Sequence, residues 1–289
     1  MPDLNQEKVK TAFFGSISSE IAYHCAKNLL SKGWKVSGTF RVPSTMTKSL
    51  KKLGAELFFY DFDNKESIKA LLRNKSFAKN WDFLMVSPSC LGSTGSFSNI
   101  EWDNWIETFN LNFLSQVYFI HQLLNRRNKY GSPFLWLWSG PGTNNAPKDQ
   151  SAVIIAKIAQ IKFVEILNEE YEDLIPVIVG PGWVNTKTHN EVLSKGPNAG
   201  YKYFQTKERI ESGNFTSIDK IIDFFNWIIK KEKKTVGGRN FSIRSDIWEK
   251  GDLLIEFLNQ EKDAFKLRRY MNDWRPGQNV YSDFKPKDV

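Results

Sequence analysis

The stretch Lys10-Thr-Ala-Phe-Phe14-Gly15-Ser16-Ile-Ser18-Ser19-Glu20-Ile21-Ala decides how this chain folds. It opens on a short apolar run, passes through one glycine and several small hydroxylated residues, and ends at the start of an amphipathic segment. A buried strand that turns sharply into a helix has that form. From Glu20 to Lys32 the apolar residues Ile21, Cys25, Leu29 and Leu30 recur at helical spacing, and Lys35 to Phe40 is again a short strand-like run. The same alternation predicts a helix over Met46 to Leu53, a strand over Glu56 to Tyr60, a helix over Lys65 to Arg73 and a strand over Phe83 to Val86. Strands separated by helical segments are βαβ units. They build a parallel sheet whose right-handed crossovers place helices on both faces.

The second half continues the pattern. A long helix is predicted over Asn104 to Asn125, a strand over Phe134 to Trp138, a long helix over Gln150 to Asn168, and a sixth strand over Ile175 to Val179. Asn185 to Thr216 is polar and weakly periodic, which predicts a mobile segment over a site, narrowed to about 187–216. A helix over Ile218 to Lys230 and a last strand over Asn240 to Ile243 follow, then a tail with one amphipathic helix around Leu253 to Phe265. The expected architecture is a single-domain, Rossmann-like, doubly wound parallel α/β sheet of about seven strands. One domain would span residues 1–245 and a helical extension 246–289.

Composition narrows the function. The 289 residues are 41% hydrophobic, with 22 Phe, 10 Trp and 9 Tyr, which excludes global disorder. No uninterrupted apolar run reaches the roughly 18 residues of a bilayer span, and Met1-Pro-Asp-Leu-Asn-Gln-Glu-Lys8 is too polar for a secretory leader. Two cysteines, Cys25 and Cys90, cannot form a disulfide framework. The expectation is a soluble cytoplasmic protein without membrane insertion. The net charge of +8 is scattered, with small clusters at Lys48 to Lys52, Lys230 to Lys234 and Lys266 to Arg269. Scattered cations fit solvated helix faces, not a nucleic-acid stripe. His24, His121 and His189 are too far apart for metal-ligand spacing, and no Gly-x-Ser-x-Gly elbow surrounds Ser139.

A doubly wound sheet binds its ligand beyond the carboxyl ends of its strands, so the residues following each strand carry the functional information. Gly15 with Ser16, Ser18 and Ser19 could hold a pyrophosphate on backbone N–H groups at a helix start, though an ordinary serine cap has the same sequence. Arg41 stands after the second strand, where an NAD site usually carries an acid and an Arg accommodates a 2′-phosphate. Asp61, before Phe62, and Asp63 stand after the third strand, where an Asp could accept from an adenine amino group or merely cap a helix. Asn112 is a polar residue in an apolar helix and needs partners. Ser139 ends a strand with a hydroxyl, Lys157 follows eighteen residues later, and Val177-Ile-Val-Gly-Pro181-Gly182-Trp-Val184-Asn-Thr186 closes another strand.

Taken in order, these motifs resemble the short-chain dehydrogenase/reductase family across roughly residues 8 to 245. The resemblance implies a nicotinamide dinucleotide site. Ser139, Lys157 and Asn112 stand at the family's catalytic positions, and Pro181, Gly182 and Thr186 match its Pro-Gly-x-x-x-Thr motif. Gly15, Ser16, Ser18, Ser19, Ile21, Arg41, Asp61, Phe62, Ser87, Lys157 and Val184 would join Pro181, Gly182 and Thr186 around the cofactor, with NADP(H) favoured over NAD(H) by Arg41. The Gly182-to-His189 run and Gly237-Gly-Arg-Asn-Phe-Ser242 look like members of bacterial surface-polysaccharide and nucleotide-sugar pathways. The two long helices resemble those through which members pair into homodimers and homotetramers, with Ile154, Ile158, Ile161 and Val164 as a candidate seam.

The departures bear on mechanism. The family's Tyr-x-x-x-Lys motif would place Tyr at 153, where this chain has Val153; only the first Gly of the glycine motif remains; and Ser87-Pro88-Ser89 replaces Asn-Asn-Ala-Gly. In the family, Tyr transfers the proton, Lys lowers its pKa and holds the ribose, Ser binds the substrate oxygen, and Asn positions a relay water. Three outcomes are expected in descending order. The first is an oxidoreductase acting on a small, sugar-like carbonyl or alcohol, with a substitute donor among Lys157, Ser151, Thr143 and His189. The second is a cofactor-binding pseudoenzyme, and the third a structural subunit. Tyr201, Tyr203 and Phe204 are expected over the substrate pocket.

Overall fold

The structure, a computed structural model, describes residues 9–269 except 75, 76, 93, 141, 144, 185, 187–192, 195 and 197–200. The strands are β1 (Thr11–Gly15), β2 (Lys35–Phe40), β3 (Glu56–Phe59), β4 (Phe83–Val86), β5 (Phe134–Trp138), β6 (Ile175–Gly180) and β7 (Asn240–Ser242). They form one seven-stranded sheet in the order β3-β2-β1-β4-β5-β6-β7, and every neighbouring pair is parallel. The order reverses between β1 and β4. There Gly15 O accepts from Ser87 N at 3.0 Å, so the first βα turn and the end of β4 meet at the switch point.

The helices are α1 (Glu20–Ser31), α2 (Thr45–Lys52), α3 (Lys65–Arg73), α4 (Trp102–Phe109), α5 (Ser115–Leu124), α6 (Ser151–Glu170), α7 (Tyr201–Glu211), α8 (Ile218–Ile228), α9 (Lys233–Val236) and α10 (Gly251–Gln260). The period-2 alternation of each strand sorts its side chains onto two faces. Ala12, Phe14, Phe83, Met85, Trp136 and Val177 pack with Cys25 and Leu29 of α1, Phe224 and Phe225 of α8, and Leu254 of α10. Phe13, Leu84, Val86, Leu135, Leu137 and Ile178 face the other way, onto α3, α5 and α6 through Ile68, Phe119, Leu123, Ile161 and Val164. Each of these side chains contributes roughly 1.5–3 kcal/mol on burial. The sheet is therefore a rigid floor covered on both sides, and its carboxyl edge is what remains open.

Two features differ from the sequence expectation. The segment 104–125 is not one regular helix: α4 and α5 are joined by a π-helical turn, Asn110–Leu114, with Asn112 at its centre. The stretch read as weakly periodic contains α7, whose apolar and polar residues are too mixed to show a clear stripe. Residues 246–269, the described part of the expected helical extension, pack onto the sheet. Trp248, Leu254 and Leu258 are buried in the first core, and Asn240 N of β7 donates to Phe265 O at 2.8 Å. Buried Arg239 secures this segment by donating to the carbonyls of Leu258, Glu261 and Ala264.

Candidate active site

The carboxyl ends of β5, β6 and β7 border a cleft of about 1550 Å³. Ser139, Val153, Lys157, Pro181, Gly182 and Val184 line it together, with Cys90 on the β4 side. Ser139 is the first residue after β5, where its backbone N–H still donates to Val179 O at 2.9 Å, so the sheet itself fixes its position. Gly182 has φ +75°, and a Cβ there would meet Thr216 Oγ1 at 2.7 Å. Both the left-handed backbone and the close approach demand glycine.

Lys157 is the decisive residue. It enters from the second turn of α6 and is buried, donating from Nζ to Trp138 O at 2.9 Å and to Gln160 Oε1 at 3.2 Å. Burial disfavours its charged form and brings its pKa down to about 8, with a small opposing pull from the Cys90 thiol. Val153, one turn earlier on the same helix, presents only methyl groups to the cleft.

Asn112 lies one layer behind the cleft, fully buried. Its Nδ2 donates to Thr108 O at 2.9 Å and Cys90 O at 3.1 Å, while Oδ1 accepts from Ser89 Oγ at 3.0 Å. The Asn112 carbonyl accepts from Gln116 Nε2 at 3.2 Å, where the family resemblance implies a relay water. Gln160 Nε2 in turn donates to Gln116 Oε1 at 2.7 Å. The sequence reading missed both glutamines. Each lies one helical turn after a residue it did single out, Gln116 after Asn112 and Gln160 after Lys157, and polar residues at that spacing in apolar helices were the available signal.

The remaining candidate donors separate. Thr143 lines the cleft, where its hydroxyl accepts from Asn240 Nδ2 at 3.3 Å. Ser151 does not line it; its hydroxyl accepts from Trp105 Nε1 at 2.9 Å, on the side where α4 packs against α6. His189 lies outside the described residues. Thr186 is half-buried and is not among the residues lining the cleft. α7 turns Gln205, Thr206 and Arg209 into the cleft, whereas Phe204, expected there, is exposed.

The residues expected around the adenosine and phosphates lie along the ends of β1 to β4, outside this cleft. Ser16 has φ +66° and donates from its backbone to Thr39 Oγ1 at 3.0 Å. Helices α2, α3 and α8 each have a side-chain N-cap, from Ser44, Asn64 and Ser217. Ser19 does not cap α1, and its Oγ is buried without a partner. An anion at this helix start would satisfy both the hydroxyl and the open N–H groups, so the donor set fits a pyrophosphate. Ser18 is half-buried, and Ile21 packs partly against the first core. Gly15 is required for packing as well, since a Cβ would press on Phe119 and Phe62 at 3.0 and 3.1 Å. Phe62 turns its ring into the second core. Ser87 Oγ accepts from Trp138 Nε1 at 3.2 Å. Arg41 is not partnerless: Nη1 lies 3.2 Å from Asp63 and 3.8 Å from Asp61.

A parallel sheet of this order, with a serine and a buried lysine along a cleft at its carboxyl edge, is a doubly wound α/β architecture with a candidate dinucleotide site. The chain matches the family described as enoyl-(acyl carrier protein) reductase over residues 15–244, and it belongs to the short-chain dehydrogenase/reductase family of NAD(P)-dependent oxidoreductases. Its fold is similar to that of a short-chain dehydrogenase/reductase from Saccharomyces cerevisiae, with TM-score 0.69 and 18% identity over 82% of this chain and 96% of that one. It is also similar to a Serratia marcescens short-chain dehydrogenase/reductase (TM-score 0.67, 17% identity, 81% and 95% covered). An actinorhodin polyketide ketoreductase with NADPH gives TM-score 0.70 and 16% identity, with 81% and 95% covered. No curated protein matches the sequence. Among the described residues no helix is long and apolar enough to cross a membrane, and no group of His, Cys, Asp and Glu could hold a metal.

Proposed function

We propose that the protein is an NADP(H)-dependent oxidoreductase for a small carbonyl or alcohol, in which the Lys157 ammonium handles the proton that a tyrosine would otherwise carry. The observation supporting this is a cationic Nζ in the cleft wall, with a pKa near 8 and no carboxylate bonded to it among the described residues. A general acid works best when its pKa lies close to the working pH. When bound, the nicotinamide cofactor supplies or takes up the hydride. Ser139 donates a hydrogen bond to the substrate oxygen. In the reductive direction Lys157 gives that oxygen one proton, becomes neutral, and is reprotonated from the water-filled side of the cleft. Val153 keeps water from the position beside Lys157. Ser16, Ser18, Ser19 and the α1 N-terminus would hold the pyrophosphate, Arg41 the 2′-phosphate, and Pro181, Gly182, Val184 and Thr186 the nicotinamide end.

The polar lining of Gln205, Thr206, Asn240 and Ser242 suits a hydroxylated, sugar-like substrate. Segment 187–216 is proposed to cover it. Self-association through α4 to α6 is supported by exposed Trp102, Ile106, Ile155 and Ile166. It is not supported by the expected seam, because Ile161 and Val164 are buried against the sheet. Two unpaired cysteines suit a reducing, cytoplasmic compartment. A second reading, a pseudoenzyme that binds cofactor without turnover, is favoured by Val153, which has no proton to give where the family carries Tyr.

Titration with NADPH, followed by turnover of a panel of aldehydes, ketones and keto-sugars before and after Val153→Tyr, tests both readings. With Lys157 as donor, the wild type turns over and Val153→Tyr changes the rate by less than about tenfold. A gain within or above the roughly 10²–10⁴-fold range of general acid catalysis in a previously silent protein would establish the pseudoenzyme instead.

A further inference from the structure

Two buried glutamines tie the reactive lysine to the irregular turn of the neighbouring helix. The chain of donors runs in one direction. An ammonium only donates, so Gln160 must turn its oxygen toward Lys157. Its amide N–H then meets Gln116 Oε1 at 2.7 Å. The Gln116 amide, turned by that contact, faces three groups that only accept: Pro88 O at 2.8 Å and the carbonyls of Leu111 and Asn112, each at 3.2 Å. The last two lie within the π-helical turn Asn110–Leu114, where the change of helical register disturbs the ordinary ladder of helix hydrogen bonds. Neither amide can flip without setting a donor against a donor or an acceptor against an acceptor.

We propose that Gln160 and Gln116 act as positioning residues for Lys157, locking its ammonium into one orientation in the cleft wall and resisting its neutralisation. This rests on the reading of Lys157 as the group that moves the proton. Among the described residues no carboxylate is bonded to Lys157 Nζ. The titratable group facing Nζ is Cys90, from the loop after β4; β5 contributes the Trp138 carbonyl, and α4 and α5 contribute neutral amides and carbonyls. With burial pulling toward the neutral amine, the oriented oxygens of Trp138 and Gln160 act beside Cys90 in favouring the charged form. The π-helical turn is then the anchor of this chain, and the two amides take the place where a proton-conducting water would otherwise connect Lys157 to Asn112. Proton exchange at Lys157 is consequently routed through the open cleft.

The test is the titration of Lys157 itself, read by NMR of the full chain labelled with ¹³C-lysine and without cofactor. Gln160→Leu is expected to lower the Lys157 midpoint by about one pH unit or more, and Gln160→Glu to raise it by a similar amount. The pH profile of NADPH-dependent reduction should shift in the same two directions. Gln116→Leu, which frees the Gln160 amide to turn, should give a smaller downward shift. A merely structural role would move the melting temperature in all three variants without opposite movements of the midpoint. Should Gln160→Leu fail to fold, Gln116→Leu/Gln160→Leu removes both amides together and leaves neither unpaired, and it carries the same expected downward shift. A midpoint unmoved in the folded variants overturns the proposal, even if the wild type turns over. A wild type without turnover but with these shifts would sink the oxidoreductase reading and leave the positioning role intact.

Discussion

Arg41 and Lys157 mark the two ends of the candidate site, and they are held in opposite ways. The Arg41 side chain is 60% exposed at the end of β2 and shares Asp61 and Asp63. Lys157 is buried among neutral oxygens, with no carboxylate on its Nζ among the described residues. An exposed ion pair contributes about 0–1 kcal/mol and is readily exchanged for another anion. A buried ammonium is expensive to desolvate, and the burial is tolerated only because rigid dipoles surround it. The β1–β3 end thus carries adaptable surface charge. The β5–β7 end is built to keep one ionisable group at a pKa where it can change charge.

The hardest way to break that contrast is to remove the buried cation. Lys157→Met fills similar volume without charge and should reduce turnover by roughly 10²–10⁴-fold, the usual worth of general acid–base catalysis. Single-turnover rates with NADPH would measure it; a loss under about threefold would show that the proton comes from elsewhere, Thr143 being one alternative on the cleft wall. A smaller effect sharpens the same point through pH. In the proposed mechanism the reductive step uses the Lys157 ammonium, whose pKa burial brings down to about 8. The rate should therefore be flat below about 8 and fall about tenfold per pH unit above it, with oxidation of the alcohol showing the opposite limb. A reductive rate still flat at pH 10 would exclude Lys157 as the donor.

How far the sequence reached follows the same division. The strands were legible because Phe134 to Trp138 and Phe83 to Val86 are short, apolar and followed by turn residues; the structure places both where expected. Ser139 and Lys157 stand out in the sequence because each lies at a fixed offset from a strand or another motif, and both line the cleft. The face of α6 was not. That helix is apolar on nearly every side, so periodicity could not tell Ile161 and Val164, which pack on the sheet, from Ile155 and Ile166, which remain exposed. The π-helical turn was hidden for a related reason: a register change inserts no residue type of its own, and Asn110-Leu-Asn112-Phe reads as ordinary helix. Gln116 and Gln160 left only a faint trace, polar residues one turn after Asn112 and Lys157 in apolar helices, because the bond between them forms only once α5 and α6 lie side by side.

Arg41 offers the smallest and cleanest perturbation. Its partners Asp61 and Asp63 leave the guanidinium mostly in water, so Arg41→Ala should leave the melting temperature within about 2 °C of wild type, as expected for a change below 1 kcal/mol. If a 2′-phosphate is its ligand, the same change removes a charge-assisted hydrogen bond worth roughly 1.5–3 kcal/mol, and NADP⁺ affinity should fall at least about tenfold while NAD⁺ affinity holds. Asp63→Asn should act in the reverse sense, freeing Arg41 from its nearer carboxylate and tightening NADP⁺ by a few-fold. Equal losses for both dinucleotides in Arg41→Ala would mean that this end of the sheet reads only the shared adenosine and pyrophosphate. The exposed cation would then be a surface ion pair like any other, and the cofactor preference would have to come from residues beyond β2.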